Sequence, residues 1–258
     1  MNKVCVRSVV IGEGMPKICA PIVGRTREEI LLQVRELCMA GPDLVEWRAD
    51  WFEEVRDKAR LSEILGLLRQ ELGEMPLLVT FRTKQEGGEQ EISKEDYEEF
   101  LRGVLASGQA DLIDVELFMG MELLERIAAE AHEKGVKVVA SSHDFEKTPN
   151  VGEMVDRLCS MQKAGADLLK LAVMPRDPGD VLTLLAATWQ MRECYAAQPV
   201  ITMAMGGNGV ISRMAGEIFG SALTFGSVGR ASAPGQVEVG ELKKVLRLLH
   251  ENLLQKGE

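Results

Sequence analysis

Positive charge is in short supply in this chain. The 30 Lys and Arg residues stand against 40 Asp and Glu, for a net charge of −10. That balance argues against a nucleic-acid partner, because phosphate binding is driven by Lys and Arg. It leaves room for a small anion, since a few local arginines reverse the field inside a cleft. Histidine is scarcer still, with 3 in 258 residues. There is no HxxxH run, no Asp/Glu/His cluster at ligand spacing and no P-loop, so neither a metal nor a nucleotide cofactor is expected. The five cysteines, Cys5, Cys19, Cys38, Cys159 and Cys194, form no CxxC pair. An odd, scattered set reads as reduced thiols in a cytosolic protein, each packed for structure. No stretch approaches the ~18 uncharged apolar residues of a membrane span. The opening residues MNKVCVRSVVIGEG are interrupted by Arg7, Gly12 and Glu13 and do not form a signal peptide. A cytoplasmic protein without a membrane partner is expected.

What is present points to a barrel. Hydrophobic residues make up 46% and charged residues 27% of the 258, close to the roughly 250 residues of one (β/α)8 barrel. Short apolar runs predict strands at 17–23, 43–48, 77–82, 112–117, 136–141, 168–173, 200–205 and 222–227. Longer segments with apolar residues at helical spacing lie between them, such as TREEILLQVRELCMA and KEDYEEFLRGVLAS. Several of these stop at Gly41, Gly135 or Gly165, where a C-terminal cap belongs. Serial β–α units without a linker favour a single (β/α)8, or TIM-barrel, catalytic domain over residues 1–258. An open doubly wound sheet shares the alternation, but its GxGxxG loop is missing: the first turn reads Val23-Gly24-Arg25-Thr26-Arg27. The N-terminal residues predict a β-hairpin turning at Gly12–Gly14 and closing the bottom of the barrel.

Chemistry in such a barrel gathers at the C-terminal ends of the strands. A charged side chain there costs several kcal/mol unless it is paired, so the polar strand-end residues carry the information. They are Glu46 and Arg48, Arg82, Asp114 and Glu116, Ser142-His143-Asp144, and Lys170, with Met203 and Met205 as apolar neighbours. Period-two alternation puts Glu46 and Arg48 on one face, as it does Asp114 and Glu116, and Met203 and Met205. Glu46 and Arg48 are compatible with a purely structural ion pair. Lys170, inside Asp-Leu-Leu-Lys-Leu-Ala-Val-Met, must either be paired, with Glu46 or Glu116, or lose its proton. A neutral amine there would be a nucleophile able to form an imine with a ketone. His143 lies on the neighbouring strand, where an imidazole proton carrier is useful; His132 and His250 read as solvated surface. Arg213, at the start of the helix after the 200–205 strand, and the arginines Arg48 and Arg82 suit a small anionic ketone.

Taken together these residues resemble the type I 3-dehydroquinate dehydratases. The likeness lies in Glu46-Trp47-Arg48, Thr80-Phe81-Arg82 followed by Glu86-Gly87-Gly88, Asp114-Val115-Glu116, Ser142-His143-Asp144-Phe145 and Lys170 through Pro175. It continues through Gly209 to Arg213 and Ser232-Ala233-Pro234-Gly235-Gln236, in order from about Lys17 to the last helix. The resemblance implies a homodimeric barrel that dehydrates 3-dehydroquinate to 3-dehydroshikimate in the shikimate pathway without a cofactor. It implies that Lys170 forms the imine and that His143 acts as general base and then acid, with Glu86 orienting or buffering it. It further implies that Glu46 and Arg48 contact ring hydroxyls, that Arg82 positions the ring, and that Arg213 holds the carboxylate. Ser232 and Gln236 would close over the site from a lid loop, and Met203, Met205, Phe145 and Phe225 would form its apolar walls. Two positions depart from the family pattern. Pro21 stands where some members carry a substrate-touching serine, and Ala204 with Gly206-Gly207-Asn208 replaces a more polar turn.

Two rival readings share Lys170. A class I aldolase would use the same imine to break a carbon–carbon bond, without needing the four charged groups and a closing Ser/Gln loop. A non-catalytic barrel would bind a carboxylate and keep Lys170 as a structural ion pair. Enone absorbance on addition of 3-dehydroquinate separates the first, and borohydride trapping on Lys170 separates the second.

Overall fold

Each predicted strand run carries alternating residues that pack in two different places, and this sorts the chain into a barrel. In the computed structural model, which describes residues 2–229 and 231–255, β1 (Val4–Val6) and β2 (Val9–Ile11) form an antiparallel hairpin. The barrel strands are β3 (Lys17–Ile22), β4 (Leu44–Arg48), β5 (Leu77–Thr80), β6 (Leu112–Glu116), β7 (Lys137–Asp144), β8 (Leu168–Val173), β9 (Val200–Ala204) and β10 (Leu223–Ser227). They run parallel in the order β10-β3-β4-β5-β6-β7-β8-β9, and a two-residue strand β11 (Val237–Glu238) adds to β10. A hydrogen bond from Ala222 N to Val200 O at 2.8 Å ties the ends together, which closes the sheet as a TIM barrel.

The connecting helices are α1 (Arg27–Ala40), α2 (Lys58–Leu72), α3 (Lys94–Ser107), α4 (Met121–Glu133), α5 (Val151–Lys163) and α6 (Pro178–Cys194). After β9 come only two short pieces, α7 (Val210–Met214) and α8 (Gly216–Phe219), before the closing α9 (Val239–Leu254). Side-chain caps start several helices where orphan N–H groups need acceptors: Thr26 accepts from Glu29, Ser93 from Asp96 and Asn150 from Glu153. Gly41, at φ 61°, ends α1 in the left-handed region that a Cβ disfavours.

Outward strand residues such as Val45, Trp47, Val79, Phe81, Ile113 and Val115 join the helices in the larger core. Inward residues form a second core inside the barrel, with Leu44, Leu78, Leu112, Val139 and Leu168 at its lower end. Val4, Val6 and Ile11 of the hairpin belong to that inner cluster, so the hairpin plugs the lower end as expected. Its turn is at Arg7-Ser8, not Gly12–Gly14: Val6 pairs with Val9, and Arg7 takes the unusual φ of 50°. Arg7 is held by ion pairs to Asp111 at 2.6 Å and Glu74 at 3.0 Å. Above the apolar layer the inward positions turn polar, and there the site begins.

Two surface expectations need correction. Cys5 and Cys194 are exposed, so they are not packed for structure. His132 is exposed as expected, though it pairs with Asp167 at 2.7 Å, whereas His250 is half-buried and pairs with Glu217 at 2.6 Å.

Candidate active site

Period-two alternation aims Glu46 and Arg48 of β4, Asp114 and Glu116 of β6, Ser141 and His143 of β7, and Lys170 of β8 into the barrel mouth. Ser141 pairs across the sheet with Lys170, and His143 with Ala172. The lysine and the imidazole therefore stand on adjacent strands, about one layer apart. The thirteen residues to which the resemblance gives a site role line one pocket: Glu46, Arg48, Arg82, Glu86, His143, Phe145, Lys170, Met203, Met205, Arg213, Phe225, Ser232 and Gln236. A wider groove between α2 and α3, lined by Lys58, Glu95, Glu99 and Arg102, contains none of them.

Lys170 is 4% exposed and paired. Its Nζ lies 3.5 Å from Glu46 Oε1 and 3.5 Å from Asp114 Oδ2, and 4.4 Å above the centre of the Phe225 ring. Of the two partners offered by the sequence, Glu46 is used and Glu116 is not; Asp114 is the second acid. Thr80 Oγ1 donates to Glu46 Oε1 at 2.9 Å and fixes the carboxylate.

Arg82 explains why Glu116 is unavailable. Its guanidinium reaches Glu116 at 2.6 Å, Asp114 at 2.8 Å and Glu86 at 3.3 Å, and it also donates to Ser141 Oγ at 3.0 Å. Burial works to raise Asp114, but Arg82, Lys170 and the hydrogen bond from Ser141 together hold its carboxyl below the usual range. In Glu116 burial wins, and its carboxyl is pushed up despite Arg82. Tyr97 of α3, fully buried behind the sheet, accepts the Glu116 N–H at 3.1 Å and donates to the Asp114 carbonyl at 3.4 Å. The β5–β6 ladder ends at Val79–Ile113, so a phenol replaces the missing strand partner.

Arg48 does not pair with Glu46. Its Nε and Nη2 each lie 2.8 Å from an oxygen of Asp50, in the single turn Ala49–Trp51 that follows β4. Asp50 carried no expectation, although an acid two residues past a strand-end arginine was its available signal. For Asp114, spacing gives a face shared with Glu116 but no role.

Glu86 sits in the turn Lys84–Glu86 and is 5% exposed. Its Oε2 lies 2.9 Å from His143 Nδ1 and accepts the His143 backbone N–H at 3.1 Å. Burial, followed by the nearby cations Arg82, Lys170 and Arg48, pushes His143 well below its ordinary 6.5. Burial pushes the Glu86 carboxyl up to about 8, against the opposing pull of Arg82. Both shifts favour the uncharged arrangement, a neutral imidazole beside a carboxylic acid. A neutral imidazole is the form that takes a proton.

Arg213 is the fourth of the five residues of α7, near its end, so the expected helix N-terminus does not contribute. The side chain is 1% exposed. Among the described residues it meets no carboxylate: Nη2 donates to Pro234 O at 3.2 Å, Nη1 lies 3.6 Å from Met203 Sδ, and Nε has no partner. Burial alone lowers it to about 10. An unpaired buried cation beside a pocket is a seat for an anion.

The loop over the mouth is braced internally: Ser232 N donates to Gln236 Oε1 at 2.9 Å, and Gln236 Nε2 to Ser232 Oγ at 3.0 Å. It rests on the turn after β9, where Gly206 N donates to Pro234 O at 3.1 Å. A Cβ on Gly235 would lie 2.4 Å from Gly206 O. Gly206, one of the residues that depart from the family pattern, is therefore where the loop lands.

Comparison with known proteins bears on the family and the fold. The model of the type I 3-dehydroquinase family matches residues 18–253. A Clostridioides difficile protein named 3-dehydroquinate dehydratase is 51% identical over 252 residues, covering 98% of this chain and 99% of the relative. One from Listeria monocytogenes, of the same name, is 52% identical over 251 residues, covering 97% and 99%. The crystal structure of type I 3-dehydroquinate dehydratase from Clostridium difficile with covalent modified comenic acid superposes with a TM-score of 0.95 at 51% identity, covering 97% of this chain and 99% of that one. The 3-dehydroquinate dehydratase from Geobacillus kaustophilus does so at 0.94 and 39% identity, with 97% of each chain covered.

Proposed function

The chain belongs to the type I 3-dehydroquinase family, and on that premise we propose how its residues carry out the reaction. The activity is that of a hydro-lyase: water is eliminated from 3-dehydroquinate to give 3-dehydroshikimate. The observation that supports the assignment of roles is one pocket holding Lys170, His143 and a buried arginine that has no carboxylate partner among the described residues.

Arg213 receives the substrate carboxylate, an interaction that also removes the cost of its isolation. Glu46 and the free edge of Arg48 take ring hydroxyls, while Met203, Met205, Phe145 and Phe225 surround the apolar ring faces. Arg82, whose nitrogens are occupied by carboxylates, positions the ring through the groups it holds. Lys170 adds to the ketone, and loss of water from the adduct gives the imine, with Glu46 or Asp114 relaying the amine proton. The imine acts as an electron sink for the adjacent carbon. His143 removes the proton from that carbon and returns it to the departing hydroxyl, which leaves as water. A second water hydrolyses the imine, releasing the product and Lys170. Glu86 orients His143 throughout, and Ser232 with Gln236 closes the mouth.

We assign this chemistry to a single catalytic domain over the whole chain, working without a cofactor as a homodimer in the cytoplasm, within the shikimate pathway. The test adds 3-dehydroquinate and follows ultraviolet absorbance of the conjugated enone, then repeats the incubation with borohydride. A ligand adduct localised by mass spectrometry to Lys170, absent from folded Lys170→Ala protein, is expected. Turnover with no adduct at Lys170 would overturn the mechanism.

A further inference from the structure

Asp50 is fully buried, and four donors converge on its carboxylate. Arg48 Nε and Arg82 N reach Oδ1 at 2.8 and 3.2 Å; Arg48 Nη2 and Glu89 N reach Oδ2 at 2.8 and 3.1 Å. Its backbone carbonyl accepts Gln90 Nε2 at 2.9 Å. These donors come from three places that have to agree for catalysis: the end of β4, the end of β5, and the loop between Arg82 and Gln90. Glu86 lies in the middle of that loop. Asp50 itself is not among the residues lining the pocket.

Bidentate pairing through Nε and Nη2 removes the rotational freedom of the guanidinium. The Nη1 edge is left for other partners, and it already turns toward the lid, 3.5 Å from Ser232 O. The bond to Glu89 N pins the far side of the loop whose Glu86 holds His143. We infer that Asp50 is a positioning residue for the dehydration, deciding which edge of Arg48 meets the substrate and where Glu86 holds His143. The inference rests on the roles proposed above for Arg48, Glu86 and His143. A purely structural staple would affect stability alone, whereas misplacing a catalytic group by ~1 Å costs on the order of a hundredfold in rate.

Asp50→Asn keeps the volume but sets an amide N–H2 against donors, so it splits the clamp without opening a cavity. It is compared with wild type, Arg48→Ala and the double variant Arg48→Ala/Asp50→Asn for KM, kcat, the pH profile of kcat and Tm. Expected for Asp50→Asn is a KM raised about tenfold and a kcat lowered about tenfold or more. The acid limb of its kcat profile should move toward ordinary imidazole behaviour as water reaches His143 among Glu86, Arg82, Arg48 and Lys170. In the double variant KM should be no worse than in Arg48→Ala alone, because the two residues act on substrate binding as one unit. Wild-type KM, kcat and pH profile in Asp50→Asn, whatever its Tm, would overturn the inference, as would KM effects that multiply in the double variant. Where Asp50→Asn does not fold, Asp50→Ser, which retains one acceptor oxygen, is carried through the same measurements under the same criteria. Wild-type protein inert toward 3-dehydroquinate would sink the functional reading instead.

Discussion

His143 Nδ1 lies 2.9 Å from Glu86 Oε2, and the same oxygen accepts the His143 backbone N–H at 3.1 Å. One carboxyl oxygen thus sets both the ring and the backbone of the proposed proton carrier. With the imidazole held well below 6.5 by burial and nearby cations, the base stays neutral in mildly acidic solution. The kcat profile is expected to run flat through pH 6.5, and an inflection there would contradict this. His143→Ala should lower kcat by about 10²–10⁴-fold.

Glu86 also makes a linkage prediction. Its carboxyl rises from 4.5 to about 8 on folding, so between these values the folded state binds the extra proton. That contribution to stability is complete below pH 4.5 and is lost as pH rises through about 8. Glu86→Gln cannot lose a proton. Its Tm relative to wild type should therefore climb steadily from pH 4.5 to 8, and a difference that stayed constant or fell across that window would refute the assignment.

Arg213 should trade stability for binding. Replacing it with Met removes an unpaired buried cation, so Tm is expected to rise by a few degrees, each ~1 kcal/mol being worth about 2–4 °C in a chain of this size. The same change should raise KM about a hundredfold or more through loss of the charge-assisted contact. Melting curves and initial rates on one preparation check both, and a lower Tm would mean the guanidinium is stabilising where it sits.

Gly235, at φ 77°, leaves no room for a side chain against Gly206. Gly235→Ala should keep the loop from landing, lowering kcat/KM about tenfold with Tm near wild type. Limited proteolysis should cut the variant faster within the loop, and the difference should persist when substrate is added. Cutting at the wild-type rate would show that the close approach is not needed.

Tyr97→Phe removes a hydroxyl that serves Glu116 N and Asp114 O. Two buried backbone groups lose their partner, at a cost of about 1–3 kcal/mol each at most. Because Asp114 faces Lys170, kcat should fall as well. A lower Tm with unchanged kcat would confine the tyrosine to stability.

Much of this was legible beforehand for a local reason. Strand alternation depends only on neighbouring residues, so spacing alone puts Glu46 with Arg48, and Asp114 with Glu116, on a shared face; that these faces and Lys170 turn inward is decided by the closed sheet. The hairpin turn was misplaced because glycines are the usual turn signal, whereas Arg7 adopts a positive φ while ion-paired to Asp111 and Glu74. Asp50 is not legible in the sequence because it lies past the end of its strand, where periodicity carries no information.

The sequence by itself determined the barrel, the end at which chemistry gathers and the strand residues that share a face there, because these depend on period, length and capping. Only the tertiary structure decided who pairs with whom. Arg48 chooses Asp50 over Glu46, Lys170 takes Asp114 while Arg82 holds Glu116, and Arg213 is left without an acid among the described residues. Strand tilt and loop paths bring residues far apart in the chain to within 2.6 Å (Arg82 and Glu116) and 3.5 Å (Lys170 and Glu46) of one another, and at that range a charge interacts with whatever lies next to it in space.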